Sequence, residues 1–257
     1  MAGLGLASIS HAAFVLYDDF EGYSAGALSG QGIWEGGGNV TLVEDTGNNY
    51  AQFDGAQSSA SFVNSTTAID TATKTTTVFF RMYLPTNLVT GDLRAANNIG
   101  LRDSSLSNSF GNNRNQMSMQ DTIADSSWDP IVAARDGAST VPQQTIASDT
   151  WYNVWMVSDT VANTWSMYMN TGTDDASSVD LLDASFKNMD FRNTTESGSV
   201  EFVFGNAGIN EVLNGARVDD IYVDVGNSNL TYAIPEPGSL ALVGVAITAL
   251  CVIRRRR

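Results

Sequence analysis

Trp151-Tyr-Asn-Val-Trp-Met-Val-Ser-Asp159 runs through Thr160-Val-Ala-Asn-Thr164 into Trp165-Ser-Met-Tyr-Met-Asn170. The first segment is apolar on both parities: Trp151, Trp155 and Val157 on one, Tyr152, Val154 and Met156 on the other. Side chains alternate across a strand, so such a segment suits a central strand covered on both faces. The last segment sets Trp165, Met167 and Met169 against Ser166, Tyr168 and Asn170, the pattern of a half-buried strand. Asp159 to Thr164 between them supplies turn formers. The stretch predicts a long β-hairpin, with Trp151, Trp155 and Trp165 in or near the core.

The same grammar extends outward over residues 14 to about 233. Candidate strands are Phe14–Tyr17, Val40–Glu44, Tyr50–Asp54, Ser59–Val63, Thr76–Tyr83, Asn98–Arg102, Gln116–Gln120, Pro130–Ala134, Tyr152–Ser158, Trp165–Asn170, Val200–Phe204 and Arg217–Val225. Gly, Asn, Asp, Ser and Thr clusters separate them, and no helical run intervenes, which predicts a two-sheet sandwich or a barrel. In Thr77–Tyr83, Val78, Phe80 and Met82 share one face, and Phe79, Arg81 and Tyr83 the other. In Arg217–Val225, Asp219, Ile221, Val223 and Val225 alternate with Asp220, Tyr222 and Asp224. A composition break near Asn227-Ser-Asn-Leu-Thr-Tyr232 marks residues 227–233 as a linker.

The chain has 257 residues, with 28 acidic and 13 basic side chains and a net charge of −15. Four of the basic residues are Arg254 to Arg257; setting them and Glu236 aside leaves 27 acidic and 9 basic, near −18. Such a body repels phosphate backbones, so nucleic acid is excluded as a partner. With Cys251 and His11 the only residues of their kinds, the body between the ends has no thiol and no imidazole. That excludes Ser-His-Asp and Cys-His catalysis and His-ligated zinc there. Hydrophobic residues make up 43%, enough for one sizeable core rather than a disordered chain.

The two ends read as addresses. Residues 1–13 are small and apolar and reach Ser10-His-Ala12, similar to an A-x-A cleavage site, but lack a basic n-region. They read as a signal-peptide remnant starting upstream of Met1, against the alternative of an ordinary flexible N-terminus. At the other end Pro235-Glu-Pro237 precedes the uncharged run 238–253 and then Arg254, Arg255, Arg256 and Arg257. As a helix that run spans roughly 24 Å at about 1.5 Å per residue, and snorkelling Arg side chains extend it towards a ~30 Å hydrocarbon core. The Arg cluster stays cytoplasmic, so the body lies on the far side.

In these three parts, residues 234–257 resemble the PEP-CTERM sorting signal of Gram-negative bacteria. The resemblance implies export, a single transmembrane helix before processing, an exosortase-type processing enzyme as partner, and delivery to the cell surface or an exopolysaccharide matrix. Cys251 then reads as a small lipid-facing or helix-packing residue of that helix, not a catalytic thiol.

The body over 14–226 resembles concanavalin A-like, laminin-G-like jelly rolls. Asp149-Thr-Trp-Tyr-Asn-Val154, Ser166-Met-Tyr-Met-Asn-Thr-Gly172, the closing Val218-Asp-Asp-Ile-Tyr-Val223 and the opening Asp18-Asp-Phe-Glu-Gly-Tyr23 carry the likeness. The expected fold is all-β: a two-sheet antiparallel jelly-roll sandwich, with the C-terminal transmembrane helix appended. The resemblance implies a structural Ca²⁺ between first and last strands, on Asp18, Asp19, Glu21, Asp219 and Asp220. The alternative is that these acids are simply solvated at strand ends. No D-x-D-x-D-G loop is present.

Sugar binding asks for aromatic faces beside polar groups; the candidates are Trp34, Trp128, Tyr83 and Tyr152. Asn97, Asn98, Asn112, Asn113, Asn115 and Gln116, with Arg102 and Arg114, form a polar region read as solvated rather than as a binding loop. The E-x-D-x-x-E strand motif of jelly-roll glucanases is absent, and Glu196 and Glu201 fall on opposite parities. The expectation is therefore a non-catalytic exported surface or matrix protein. The alternatives are a calcium-dependent lectin-like module and a polysaccharide-degrading enzyme, the last marked by two carboxylates facing each other at about 5–10 Å.

Overall fold

The computed structural model describes residues 13–37, 40–53, 61–72, 75–86, 96–107, 109–121, 130–206 and 215–234. The signal-peptide segment up to residue 12, Trp128, the Pro235–Pro237 motif, the expected membrane helix and Arg254–Arg257 lie outside these residues. No helix among the described residues is long and apolar enough to cross a membrane.

The described chain is all-β. Its strands are β1 Val15–Asp18, β2 Gly26–Ala27, β3 Trp34–Gly37, β4 Val40–Asp45, β5 Asn48–Phe53, β6 Ser61–Ser65, β7 Ile69–Asp70, β8 Thr75–Leu84, β9 Ala96–Asp103, β10 Asn113–Asp121, β11 Pro130–Ala134, β12 Gln143–Thr145, β13 Thr150–Asp159, β14 Thr164–Asn170, β15 Met189–Asp190, β16 Ser199–Asn206 and β17 Arg217–Val225. Only two short 3₁₀ turns interrupt them, Phe110–Asn112 and Ala184–Phe186. The larger sheet runs β15-β14-β13-β8-β17-β5-β4-β2, with β1 also on β17. The smaller runs β12-β11-β10-β9-β16-β6-β3, with β7 also on β16. The strand pairs are antiparallel. Every strand expected from sequence forms, within three residues at its ends; β2, β3, β7, β12 and β15 are short additions.

The hairpin that opens the sequence reading is the β13–β14 pair, with Asp159 opposite Thr164 and Val154 opposite Met169. Asp159 Oδ1 accepts from the backbone N–H groups of Val161 and Ala162, both at 2.9 Å, and Asn163 takes the left-handed conformation (φ 57°). That is an Asx-type turn, the reason Asp and Asn stand there. Val78, Phe80, Met82, Tyr152, Val154, Met156, Trp165, Met167 and Met169 point inward from the larger sheet, as their parity predicts. From the smaller sheet Val63, Ile99, Leu101, Met117, Met119, Val132, Phe202 and Phe204 meet them. Phe204 centres an aromatic cluster, 4.9 Å from Trp34, 5.1 Å from Phe202 and 6.1 Å from Phe53, in tilted and edge-on geometries that aromatic quadrupoles favour.

Two expectations need correction. The alternation assigned to Arg217–Val225 fails at its centre. The register slips between Asp219 and Tyr222, and Asp220 adopts φ 51°. This bulge inserts one residue and shifts the parity. Val218, Ile221 and Val223 therefore face the core, while Asp219 joins Arg217 on the outer face.

The linker expected at 227–233 is instead docked on the larger sheet's outer face. Leu230, Tyr232, Ala233 and Ile234, with Phe14, pack on Phe79 and Trp155. Trp155 Nε1 donates to Thr231 O at 2.9 Å, and Asp224 Oδ2 accepts from Asn229 Nδ2 at 2.8 Å. The folded unit thus extends to at least Ile234. The same docking explains why the first hairpin strand is apolar on both parities. Truncation after Gly226 uncovers Phe79 and Trp155 and is expected to destabilise the fold by several kcal/mol, at roughly 25 cal/mol per Å² of apolar surface. A thermal melt against the full chain checks this; an unchanged melting temperature contradicts the docking.

Candidate functional site: the polar face of the smaller sheet

Cross-strand registers place Glu35, Asn64, Val203, Gly100 and Gln116 in one row across β3, β6, β16, β9 and β10. Beside that row lie Glu201 opposite Arg102, and Asn98 opposite Ser118. Their neighbours Phe202, Phe204, Leu101, Ile99 and Met117 are core, so alternation points this set to the outer face. There they form two hydrogen-bonded groups. Arg102 Nη2 donates to Glu201 Oε2. Asn64 Nδ2 reaches Glu201 Oε2 at 3.3 Å and Glu35 Oε1 at 3.4 Å. Gln116 Nε2 donates to Asn98 Oδ1 at 2.6 Å, and Arg192 Nη1, arriving from the loop after β15, donates to Gln116 Oε1 at 2.6 Å. Burial, with the neighbouring Arg135 guanidinium, lowers the Arg192 pKa. Asn64, Asn98, Arg102 and Gln116 are buried, and Glu35 is exposed.

Asn113 belongs to this face, opposite Arg102, and is 1% exposed. Both its amide atoms are buried without a hydrogen-bond partner. Gly100 leaves it room: a Cβ there would stand 2.7 Å from Asn113 Nδ2 and 2.6 Å from Asn115 O. Buried polar groups are nearly always satisfied, so this enclosed amide is an unsatisfied point beneath the polar face. The Asn-rich region, read from sequence as solvated, is therefore mostly built into strands β9 and β10: Asn98, Arg102, Asn113 and Gln116 face the outer surface, while Asn97 and Asn115 stand opposite the core residues Met119 and Leu101, and Asn115 Nδ2 donates to Ser158 Oγ of β13 at 2.7 Å. Parity carried that signal for Asn98, Arg102 and Gln116 but not for Asn113, which a register shift between Asn113 and Asn115 turns outward. At the sheet's end Arg114 and Asp103 form a buried ion pair at 2.6 Å, 2% and 0% exposed at the side chain. Burial acts to raise Asp103, but hydrogen bonds from Ser105 and Ser197 outweigh it and hold the carboxyl well below the usual range.

The expected calcium ligands do not form a set. Asp18 is committed to the fold: its oxygens accept from Phe20 N (2.8 Å), Tyr23 OH (2.6 Å) and Trp34 Nε1 (2.7 Å). Glu21 accepts from Asn49 N at 3.0 Å, Asp219 from Asn48 Nδ2 at 3.0 Å, and Asp220 pairs with Arg81 at 3.0 Å. Among the described residues no three acidic, His or Cys side chains converge as a metal site.

The acids do sense one another. Burial, then Asp220, pushes Asp219 up to about 7. A carboxyl raised in the folded state binds its proton more tightly there than when unfolded. Stability contributed by Asp219 is thus present at low pH and is lost as pH rises from about 4 through about 7. Asp219→Asn is expected to flatten the fall in melting temperature between pH 5 and pH 8; an unchanged slope contradicts the shift.

Of the sugar-binding aromatics, Trp34 is core (2% exposed) and Tyr152 is buried (3%), its hydroxyl bonded to Ala147 N and O. Neither offers a platform, because an inward parity seals each between the sheets. Tyr83 alone of the described candidates faces outward, beside Trp151 at 5.4 Å. Trp151 itself is half-buried on that outer face rather than in the core.

No protein-family model matches the sequence, and no curated protein matches it by sequence. Solved structures match by fold. The glycoside hydrolase family 131 β-glucanase catalytic domain from Podospora anserina superposes with TM-score 0.56 at 15% identity, covering 86% of this chain and 99% of that one. The family 131 catalytic domain from Coprinopsis cinerea gives 0.54 at 14%, covering 85% and 97%. Peanut lectin gives 0.52 at 12%, covering 84% and 100%. A sialidase also matches at 0.54 and 13%, but this chain spans 18% of its length. Likeness at these identities shows the fold: an all-β jelly roll of two antiparallel sheets shared by lectins and glycoside hydrolases. The expectation of a non-catalytic body is corrected here, because catalytic domains occupy this same fold over nearly their whole length.

Proposed function

We propose that this chain is an exported carbohydrate-recognition protein whose ligand, a glycan strand, lies across the outer face of the smaller sheet. The polar array of Asn64, Asn98, Arg102, Gln116 and Glu201, held on adjacent strands of one outer face with exposed Glu35 at its edge, carries this reading. Amides, guanidinia and carboxylates fixed on rigid strands supply the donors and acceptors that sugar hydroxyls require. The neighbouring folds, a β-glucanase and a lectin, support the same class of ligand. A glycan array probed with the full chain in detergent, with and without Ca²⁺, tests it. Binding to a defined glycan set, lost in Asn98→Ala/Gln116→Ala, is expected; no binding under either condition overturns it.

A specific contact favours a second reading, hydrolysis of the bound glycan. One nitrogen, Asn64 Nδ2, touches both Glu35 and Glu201 at 3.4 and 3.3 Å. The two carboxylates therefore lie no further apart than the sum of those distances, compatible with the roughly 5–9.5 Å of glycosidase pairs. In this reading Glu201, gripped by Arg102, is the fixed partner, and exposed Glu35 is the second carboxyl group.

Export rests on the tail. Pro235-Glu-Pro237, the uncharged run and Arg254–Arg257 make an exosortase-type enzyme the processing partner. The membrane helix over about 238–253 is the transient anchor, and the cell surface or exopolysaccharide matrix is the destination. Replacing Arg254–Arg257 by Ser is expected to block processing and surface delivery in cell fractionation; normal delivery overturns the assignment.

A further inference from the structure

The larger sheet carries a separate pocket on its own outer face. Trp151, Tyr83 and Arg217 stand in one cross-strand row on β13, β8 and β17, with Arg81 and Asp219 in the next. Tyr50 from β5 and the β4–β5 turn, Asp45, Thr46 and Asn48, complete a cavity of about 270 Å³. The aromatic rings and guanidinia are interleaved. Arg217 lies over Tyr50 at 4.3 Å and Tyr83 at 4.9 Å, and Arg81 over Trp151 at 4.7 Å. Stacking holds a guanidinium flat and leaves its N–H edge free to bond a planar anion.

The two arginines differ. Arg81 is neutralised by Asp220 at 3.0 Å. Arg217 has no carboxylate partner among the described residues, and its Nε is buried without a hydrogen bond. In a body with 27 acidic and 9 basic residues, carboxylates are in threefold surplus, so an unpaired guanidinium is not explained by want of partners. The floor carboxylate, Asp219, is already engaged by Asn48 Nδ2 at 3.0 Å and Asp220 N at 2.8 Å.

We infer that this pocket is a binding site for a carboxylate-bearing sugar, a uronic acid residue. Arg217 takes the carboxylate in a two-pronged hydrogen bond. Trp151 and Tyr83 form the wall for the C–H face of the ring, and Asn48 and Thr46 at the rim meet its hydroxyls. The site lies on the sheet opposite the polar face, so it stands or falls independently of the ligand proposed there.

Isothermal titration of the full chain with sodium glucuronate, a uronic acid trisaccharide, glucose and acetate tests this. Glucuronate and the trisaccharide are expected to bind at least tenfold more tightly than either glucose or acetate. Arg217→Gln is expected to lower their affinity by tenfold or more, and Arg217→Lys to lower it by less. Asn98→Ala/Gln116→Ala leaves it unchanged. If Arg217→Gln fails to fold, Trp151→Leu replaces it, with the same loss expected. Equal binding of glucose or acetate overturns the inference, as does glucuronate affinity insensitive to Arg217 or to Trp151.

Discussion

Glu201→Gln is expected to cut release of reducing ends from the glycan bound on the smaller sheet by about 10³-fold, with affinity for that glycan changed less than about threefold. The substitution is nearly isosteric. Its amide oxygen still accepts from Arg102 and Asn64, which both bond Glu201 Oε2. What it removes is the ability to act as nucleophile or base. Glu35→Gln is expected to give a loss of similar size, because glycoside hydrolysis divides between two carboxyl groups and neither works alone. A reducing-sugar assay across the glycans that bind on the array, with both variants beside the unaltered chain, decides it. An unaltered chain that binds a glycan and never releases a reducing end shows that Glu35 and Glu201 bind without cutting.

The largest effect on stability is expected at Arg114. Arg114→Met strands the Asp103 carboxylate in a site where its side chain is 0% exposed. Breaking such a pair costs about 3–5 kcal/mol, since the remaining charge has no water to turn to. For a domain of this size that is a fall in melting temperature of about 6–20 °C. Arg114→Met/Asp103→Leu is expected to recover only part. Asp103 also accepts from the backbone N–H groups of Ser105 at 3.0 Å and Ser197 at 2.8 Å, and those donors would then be orphaned. Scanning calorimetry of both variants checks this. A fall under about 2 °C in the single variant shows that the pair carries little of the fold. Because Asp103 is held ionised, its contribution is present above the unfolded carboxylate pKa and disappears as pH falls below it. That is opposite in sign to Asp219.

The fold was legible wherever side chains kept a strict period of two. Thr77–Tyr83 and Trp165–Asn170 face as their alternation says, because each strand has one face against the core and no irregularity. Legibility ended at Asp219–Asp220, where a bulge reverses parity and no local residue type announces it. It ended again at residues 227–233 and the adjoining Ile234. The polar composition of 227–233 reads as linker, while Leu230 and Tyr232, with Ile234 just beyond, supply enough apolar surface to dock. For the site, the aromatic criterion misplaced Trp34 and Tyr152. A buried aromatic and an exposed platform have the same composition, and only the facing sheet distinguishes them.

From the amino acids alone follow an all-β body, a surplus of carboxylates, and the absence of thiol and imidazole chemistry between the two ends. Each is a matter of residue counts or of period-two patterning, which local sterics enforce. The tertiary structure alone decided which polar residues meet. Glu35 and Glu201 are 166 positions apart in the chain yet share one amide of Asn64, because β3 and β16 flank β6. Arg217 and Trp151 likewise meet only through β8. Strand order is set by which apolar faces bury together across the whole chain, a global quantity that no short window of sequence contains.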